Sequence, residues 1–193
     1  MNRIRWLILL VPLVLQAENI PPLRVAITSF AAPYIMQGNN QQFYGFDISM
    51  MSNVCKLLQR RCIYIPMTLK QIYPAIINNK ADLAVSTIVI SADKAKYVAI
   101  SMPYMLSEGQ YIGSINPKSS AFSESLLTNK RIGVVAGSTY ETYIKKLENT
   151  QNIHVITFDS HDQIIDGLRN HGIDFGLLDT HIVQYWQNNS SGT

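Results

Sequence analysis

The chain has 193 residues, 47% of them hydrophobic and 15% charged, and a formal net charge of +3. This is the composition of a folded globular protein, long enough for one large domain or two small ones, and it excludes a disordered chain. Its basic runs, Arg60-Arg61 and Lys145-Lys146, are too short for the stripe a phosphate backbone requires, which excludes nucleic acid as a partner.

Arg3 and Arg5 precede an uncharged apolar run, Trp6 to Leu15, that is too short to span a bilayer and is interrupted by Pro12. Leu15-Gln16-Ala17 supplies a small residue for cleavage, so residues 1–17 read as a secretory signal peptide and the mature chain as exported and soluble. Loss of the two arginines lowers the net charge by two, to +1. No cysteine follows the run, which argues against a lipid anchor.

Leu23 to Thr28 predicts a first strand, and Gly45 to Arg61 a helix, with Phe46, Met50, Val54, Leu57 and Leu58 at helical spacing. Ile63 to Pro66 predicts a strand, Leu69 to Asn79 a helix, and Asp82 to Ser86 a third strand. The order β-α-β-α-β is that of a wound parallel sheet. It then repeats: strand 131–136, helix 139–147, strand 154–158, helix 162–170, strand 174–178. NNKADLAVS (78–86) and RNHGIDFGLLD (169–179) each run from a polar helix end through an aspartate into an apolar strand. The expectation is two similar α/β lobes, the alternative being one continuous wound sheet.

In an exported chain the two cysteines, Cys55 and Cys62, read first as a disulfide between a helix end and the next strand. The four histidines show no metal-ligand spacing, and no metal or cofactor is expected.

Ligands of open α/β sheets sit beyond the carboxyl ends of the strands, which directs attention to Thr28–Tyr34, Ser86–Lys94, Gly137–Thr139 and Asp179. Ser138 and Glu141 make a capping box, enough to explain a helix start. The free N–H groups there also suit a carboxylate, and Gly137 permits close approach. Asp179 is either a helix cap or a carboxylate for a ligand's ammonium group. Ser86 and Thr87 form a turn or face the cleft; Lys94 is a solvated lysine or a cleft cation; Phe30 caps the core or lies against a ligand. Phosphate-loop and nucleophile-elbow patterns are absent.

With these positions assembled, the chain resembles the extracytoplasmic solute-binding proteins of polar amino-acid ABC transporters, bacterial solute-binding protein family 3. The stretches that carry the resemblance are YGFDISMMSNVCKLL, NNKADLAVSTIVIS followed by AISMPY, and KRIGVVAGSTYETYI, and they cover about Leu23 to Asn188. The cysteine spacing resembles the branch that binds histidine, arginine, lysine and ornithine. The resemblance implies a periplasmic clamshell of two lobes, each a wound α/β sheet, monomeric and without catalysis, that hands a small ligand to a membrane permease. Lobe 1 would comprise residues 18–108, a hinge crossover 109–113 and lobe 2 residues 114–193. It further implies ligand contacts from Ser86, Thr87, Lys94, Gly137, Thr139 and Asp179, with Gly137 and Thr139 at an α-carboxylate and Asp179 at an α-amino group; the family's stacking aromatic aligns with Ala31, and Phe30 beside it is the expected substitute.

The chain departs from the family pattern at four positions. Lys94 stands where the family has an arginine, so a point charge replaces a two-pronged donor. Val89 replaces a hydroxyl residue, Ala31 the stacking aromatic, and Thr28 an acidic residue. Family members also continue beyond the helix after Asp179, so the second lobe is expected to be incomplete at its C-terminal end. Two other readings share the fold: a cleft enzyme of the cyclohexadienyl dehydratase type, which needs a general acid in the cleft, and the sensor domain of a membrane receptor.

Overall fold

The structure, a computed structural model, describes residues 20–113 and 122–189; the expected signal peptide lies outside them. In the first lobe β1 (Leu23–Thr28) leads through a small antiparallel hairpin, β2 (Met36–Gln37) and β3 (Phe43–Tyr44), into α1 (Phe46–Leu57). Then follow β4 (Cys62–Met67), α2 (Leu69–Ile77), β5 (Leu83–Ala84) and the short α3 (Ala92–Ala95). The second lobe contains β6 (Gly109–Gly113), β7 (Arg131–Val135), α4 (Thr139–Gln151), β8 (His154–Phe158), α5 (His161–Arg169), β9 (Phe175–Asp179) and α6 (Thr180–Asn189).

The strands form two main sheets, not one. The first has the order β4-β1-β5 and is parallel; the second is β6-β9-β7-β8, parallel except where β6 pairs antiparallel with β9. β7, β8 and β9 thus repeat the arrangement of β1, β4 and β5. Residues 109–113, the expected crossover, form the edge strand of the second sheet.

The repeated aspartates have one job in both lobes. Arg24 near the start of β1 donates through its main-chain N–H (2.8 Å), Nε (3.3 Å) and Nη2 (2.7 Å) to Asp82, just before β5. Arg131 at the start of β7 does the same to Asp174, just before β9, at 2.8, 3.2 and 3.0 Å. The guanidinium holds the Asp82 carboxyl down to about 2. Each fork is bidentate and so fixes the register of two strands at their amino ends.

β7 shows how alternation builds the core. Ile132 and Val134 pack with Leu127, Ile144, Ile153 and Leu177 on one face of the second sheet. Val135, on the other face, joins a cluster that runs from Val25 and Ile27 through Ile72 to Ile164, Leu178 and Ile182. The lobes therefore touch through apolar side chains, each fully buried one contributing roughly 1.5–3 kcal/mol.

Local chemistry sets the ends of the helices. α1 stops at Leu57 because Gln59 takes a left-handed conformation, φ 53°, and Arg60 N–H turns back to the Cys55 carbonyl at 3.0 Å. That early stop brings Cys62 to Cys55, and the two are joined. α4 runs four residues past its expected end, until Asn152 at φ 51°.

Asp47, in the first turn of α1, is 1% exposed; its Oδ1 accepts from the Tyr104 hydroxyl at 3.1 Å and its Oδ2 has no partner. Burial raises the carboxyl to about 6, against the pull of the Tyr104 hydrogen bond. A raised carboxyl makes the folded state bind more protons than the unfolded one, so stability is lost as pH rises from about 4 through 6. Asp47→Asn, which keeps the acceptor and removes the charge, should raise the urea midpoint at pH 8 by the equivalent of about 2 kcal/mol and leave it unchanged near pH 4. Equal effects at the two pH values would show that the charge carries no cost.

Candidate ligand-binding cleft

A cavity lies between the lobes where the carboxyl ends of both parallel sheets converge. Leu69 and Tyr73 of α2, with Thr87, Val89 and Lys94, form the wall from the first lobe. Gly137, Ser138, Thr139, Tyr140, His161 and Asp179 form the wall from the second. Its volume is about 40 Å³, room for roughly three water molecules, so the lobes are nearly shut. Gly137 shows how nearly: at φ 85°, a Cβ there would lie 3.1 Å from the Lys70 backbone of the opposite lobe.

Asp179 closes β9 at 6% exposure, and its Oδ1 accepts from the Tyr140 hydroxyl at 2.9 Å. Among the described residues no lysine or arginine forms an ion pair with it. A buried carboxylate without a cation is costly, and here it faces a cavity.

The head of α4 divides its N–H groups. Gly137 N–H donates to Glu141 Oε2 at 2.6 Å, Ser138 N–H to the Val135 carbonyl at 3.1 Å, and Glu141 N–H to Ser138 Oγ at 3.1 Å. Glu141 is held in turn by Lys145 at 2.6 Å. The N–H groups of Thr139 and Tyr140 have no partner among the described residues and point out of the helix end, as first-turn donors do. The cap and the anion site are thus built from different donors of one turn. Across the cavity the exposed Lys94 rests its Nζ 4.7 Å from the centre of the Tyr73 ring and forms no ion pair among the described residues.

Five of the seven expected ligand residues, Thr87, Lys94, Gly137, Thr139 and Asp179, line this one cavity. The other two lie off it. Ser86 is buried, and its hydroxyl is shared with Thr28 Oγ1 at 2.7 Å. Phe30 sits 6.4 Å, centre to centre, from Trp186 of α6, in the opposite lobe. Tyr73, Tyr140 and His161 are additional cavity residues. His161 follows the carboxyl end of β8, so the rule that selected the other loops points to it as well.

The sequence pattern of the bacterial extracellular solute-binding proteins, family 3, matches residues 23–121. The ABC transporter arginine-binding protein 1 of Escherichia coli is 27% identical over 154 residues, 80% of this chain and 61% of that protein. The chain spans about 60% of the length of the curated relatives it matches. Two solved structures superpose closely. An ancestral arginine-binding protein bound to arginine gives a TM-score of 0.82 at 26% identity, covering 88% of this chain and 75% of that one. An arginine third-transport-system periplasmic binding protein from Legionella pneumophila gives 0.77 at 29%, covering 90% and 75%.

Proposed function

The chain belongs to the bacterial extracellular solute-binding proteins, family 3, and on that footing we propose that it captures an amino acid between its lobes in the periplasm and passes it to an ABC-transporter permease. The observation that carries this reading is the charge layout of the cavity. Among the described residues, a buried carboxylate without a cation, Asp179, shares it with an ammonium without an ion pair, Lys94, and two unspent N–H groups at the head of α4. A zwitterion answers all three: its ammonium pairs with Asp179, and its carboxylate meets Thr139 N–H, Tyr140 N–H and Lys94. Thr87 borders the same space. The arginine-binding names of relatives and structural neighbours support an amino acid as the class. Binding without turnover is supported by Glu141 in the first turn of α4, whose carboxylate is tied to Gly137 and Lys145.

Calorimetric titration with arginine, lysine, histidine, glutamine and small carboxylates tests the reading. Micromolar or tighter binding of one amino acid is expected, and silence from folded protein across the panel would refute it. Lys94→Arg gives a sharper result. The exposed side chain has room for a guanidinium over Tyr73, and restoring the two-pronged donor should tighten binding of that amino acid about fivefold. Unchanged or weaker binding would remove Lys94 from the carboxylate site.

A further inference from the structure

His161 stands between the two lobes at a point the ligand contacts above do not use. It heads α5 in the second lobe, is 5% exposed, lines the cavity, and leaves Nδ1 buried without a hydrogen-bond partner among the described residues. Leu69 and Tyr73 of the first lobe line the same cavity. Opening the lobes parts these walls, so His161 is dry when the clamp is shut and wet when it is open.

We propose that His161 couples ligand capture to proton release: the clamp shuts on its amino acid only with the imidazole neutral, and protonation of His161 releases the cargo. This rests on the reading of Asp179 as the ammonium site. The charged and titratable groups around the ring are few. Asp179 on β9 and Asp162 on α5 attract a proton to it; the Tyr140 hydroxyl of α4 is spent on Asp179. From the first lobe come the Tyr34 phenol, raised by burial to about 12, and, across the cavity, Tyr73 and the Lys94 ammonium. Burial outweighs the two carboxylates and lowers the imidazole below its ordinary value. A ligand ammonium on Asp179 cancels the larger of the two attractions, which makes a charged ring costlier still. By reciprocity, a proton on the ring weakens the ligand.

The shut state has the lower imidazole value, so closure is unhindered above the ordinary histidine range and is lost as pH falls below about 6.5. Arginine is the probe. Its affinity for the whole chain should be constant from pH 7.5 to 8.5 and about tenfold weaker at pH 5.5. Titrations at pH 6 in two buffers of different ionisation enthalpy should show a fraction of a proton released per arginine bound. His161→Gln should release no proton on binding arginine and lose the pH slope, whatever its affinity at pH 8. A wild-type affinity flat with pH, or a slope kept in His161→Gln and in His161→Asn, would overturn the proposal. If arginine does not bind at any pH, the amino acid that the calorimetric panel identifies takes its place as the probe, and silence across the whole panel refutes the amino-acid reading separately. Small-angle scattering of the ligand-free chain then decides the histidine: a radius that grows between pH 7.5 and 5.5 in the wild type alone upholds it, and equal radii overturn it.

Discussion

Replacing Asp179 by asparagine is expected to weaken binding of the amino acid identified by calorimetry by at least about thirtyfold, with little change in thermal midpoint. Asparagine is close in shape and still accepts from Tyr140, whose hydroxyl lies 2.9 Å from Oδ1, so the wall of the cavity keeps its form. What disappears is the charge. At 6% exposure the ligand's ammonium would be drawn from water into a pocket without its counter-charge, and removing one partner of such a pair costs about 2–5 kcal/mol, a factor of about thirty to several thousand. Isothermal titration supplies the affinity and a melting curve the control. An affinity within fivefold of the wild type would mean that the ammonium lies elsewhere and that Asp179 serves only to cap α6.

Gly45→Ala should be the most damaging single substitution to the fold, with a loss of about 3 kcal/mol or more in urea denaturation. Gly45 holds φ 122°, where a side chain is strained. A Cβ there would stand 2.3 Å from the Tyr34 carbonyl oxygen and 2.8 Å from that of Pro33. The chain cannot step back, because those same two carbonyls accept from Asp47 N–H at 3.1 Å and Phe46 N–H at 3.3 Å. Alanine therefore carries a backbone strain of about 1–2 kcal/mol and also breaks two hydrogen bonds worth about 1 kcal/mol each, together about 3–4 kcal/mol. A loss below 1 kcal/mol would show that α1 can shift along the first sheet.

Much of this molecule is legible in its pattern because its two halves obey the same local rules. The strands, the helices, the repeated aspartates and the cysteine pair follow from periodicity, turn chemistry and compartment. The misses have physical causes. Gln59 gives no sign that it will turn left-handed and end α1 early, and β6, flanked by glycines, becomes a strand only because β9 lies beside it. Of the site, Thr87, Lys94, Gly137, Thr139 and Asp179 could be found from their places after strands. Nothing near Ser86 says that its hydroxyl belongs to Thr28, 58 residues away, or near Phe30 that Trp186 will cover it. Those partnerships exist only once the sheets are stacked and the lobes meet.

The paired forks Arg24–Asp82 and Arg131–Asp174 have a consequence for how such a protein changes over time. Each fastens its sheet at the strand ends farthest from the cavity, so the residues that hold the strands together are not those that line it. Drift at cavity positions such as Val89 or Lys94 can retune what the cavity accepts while the architecture is left intact. A new ligand can therefore be tried without first relearning how to fold.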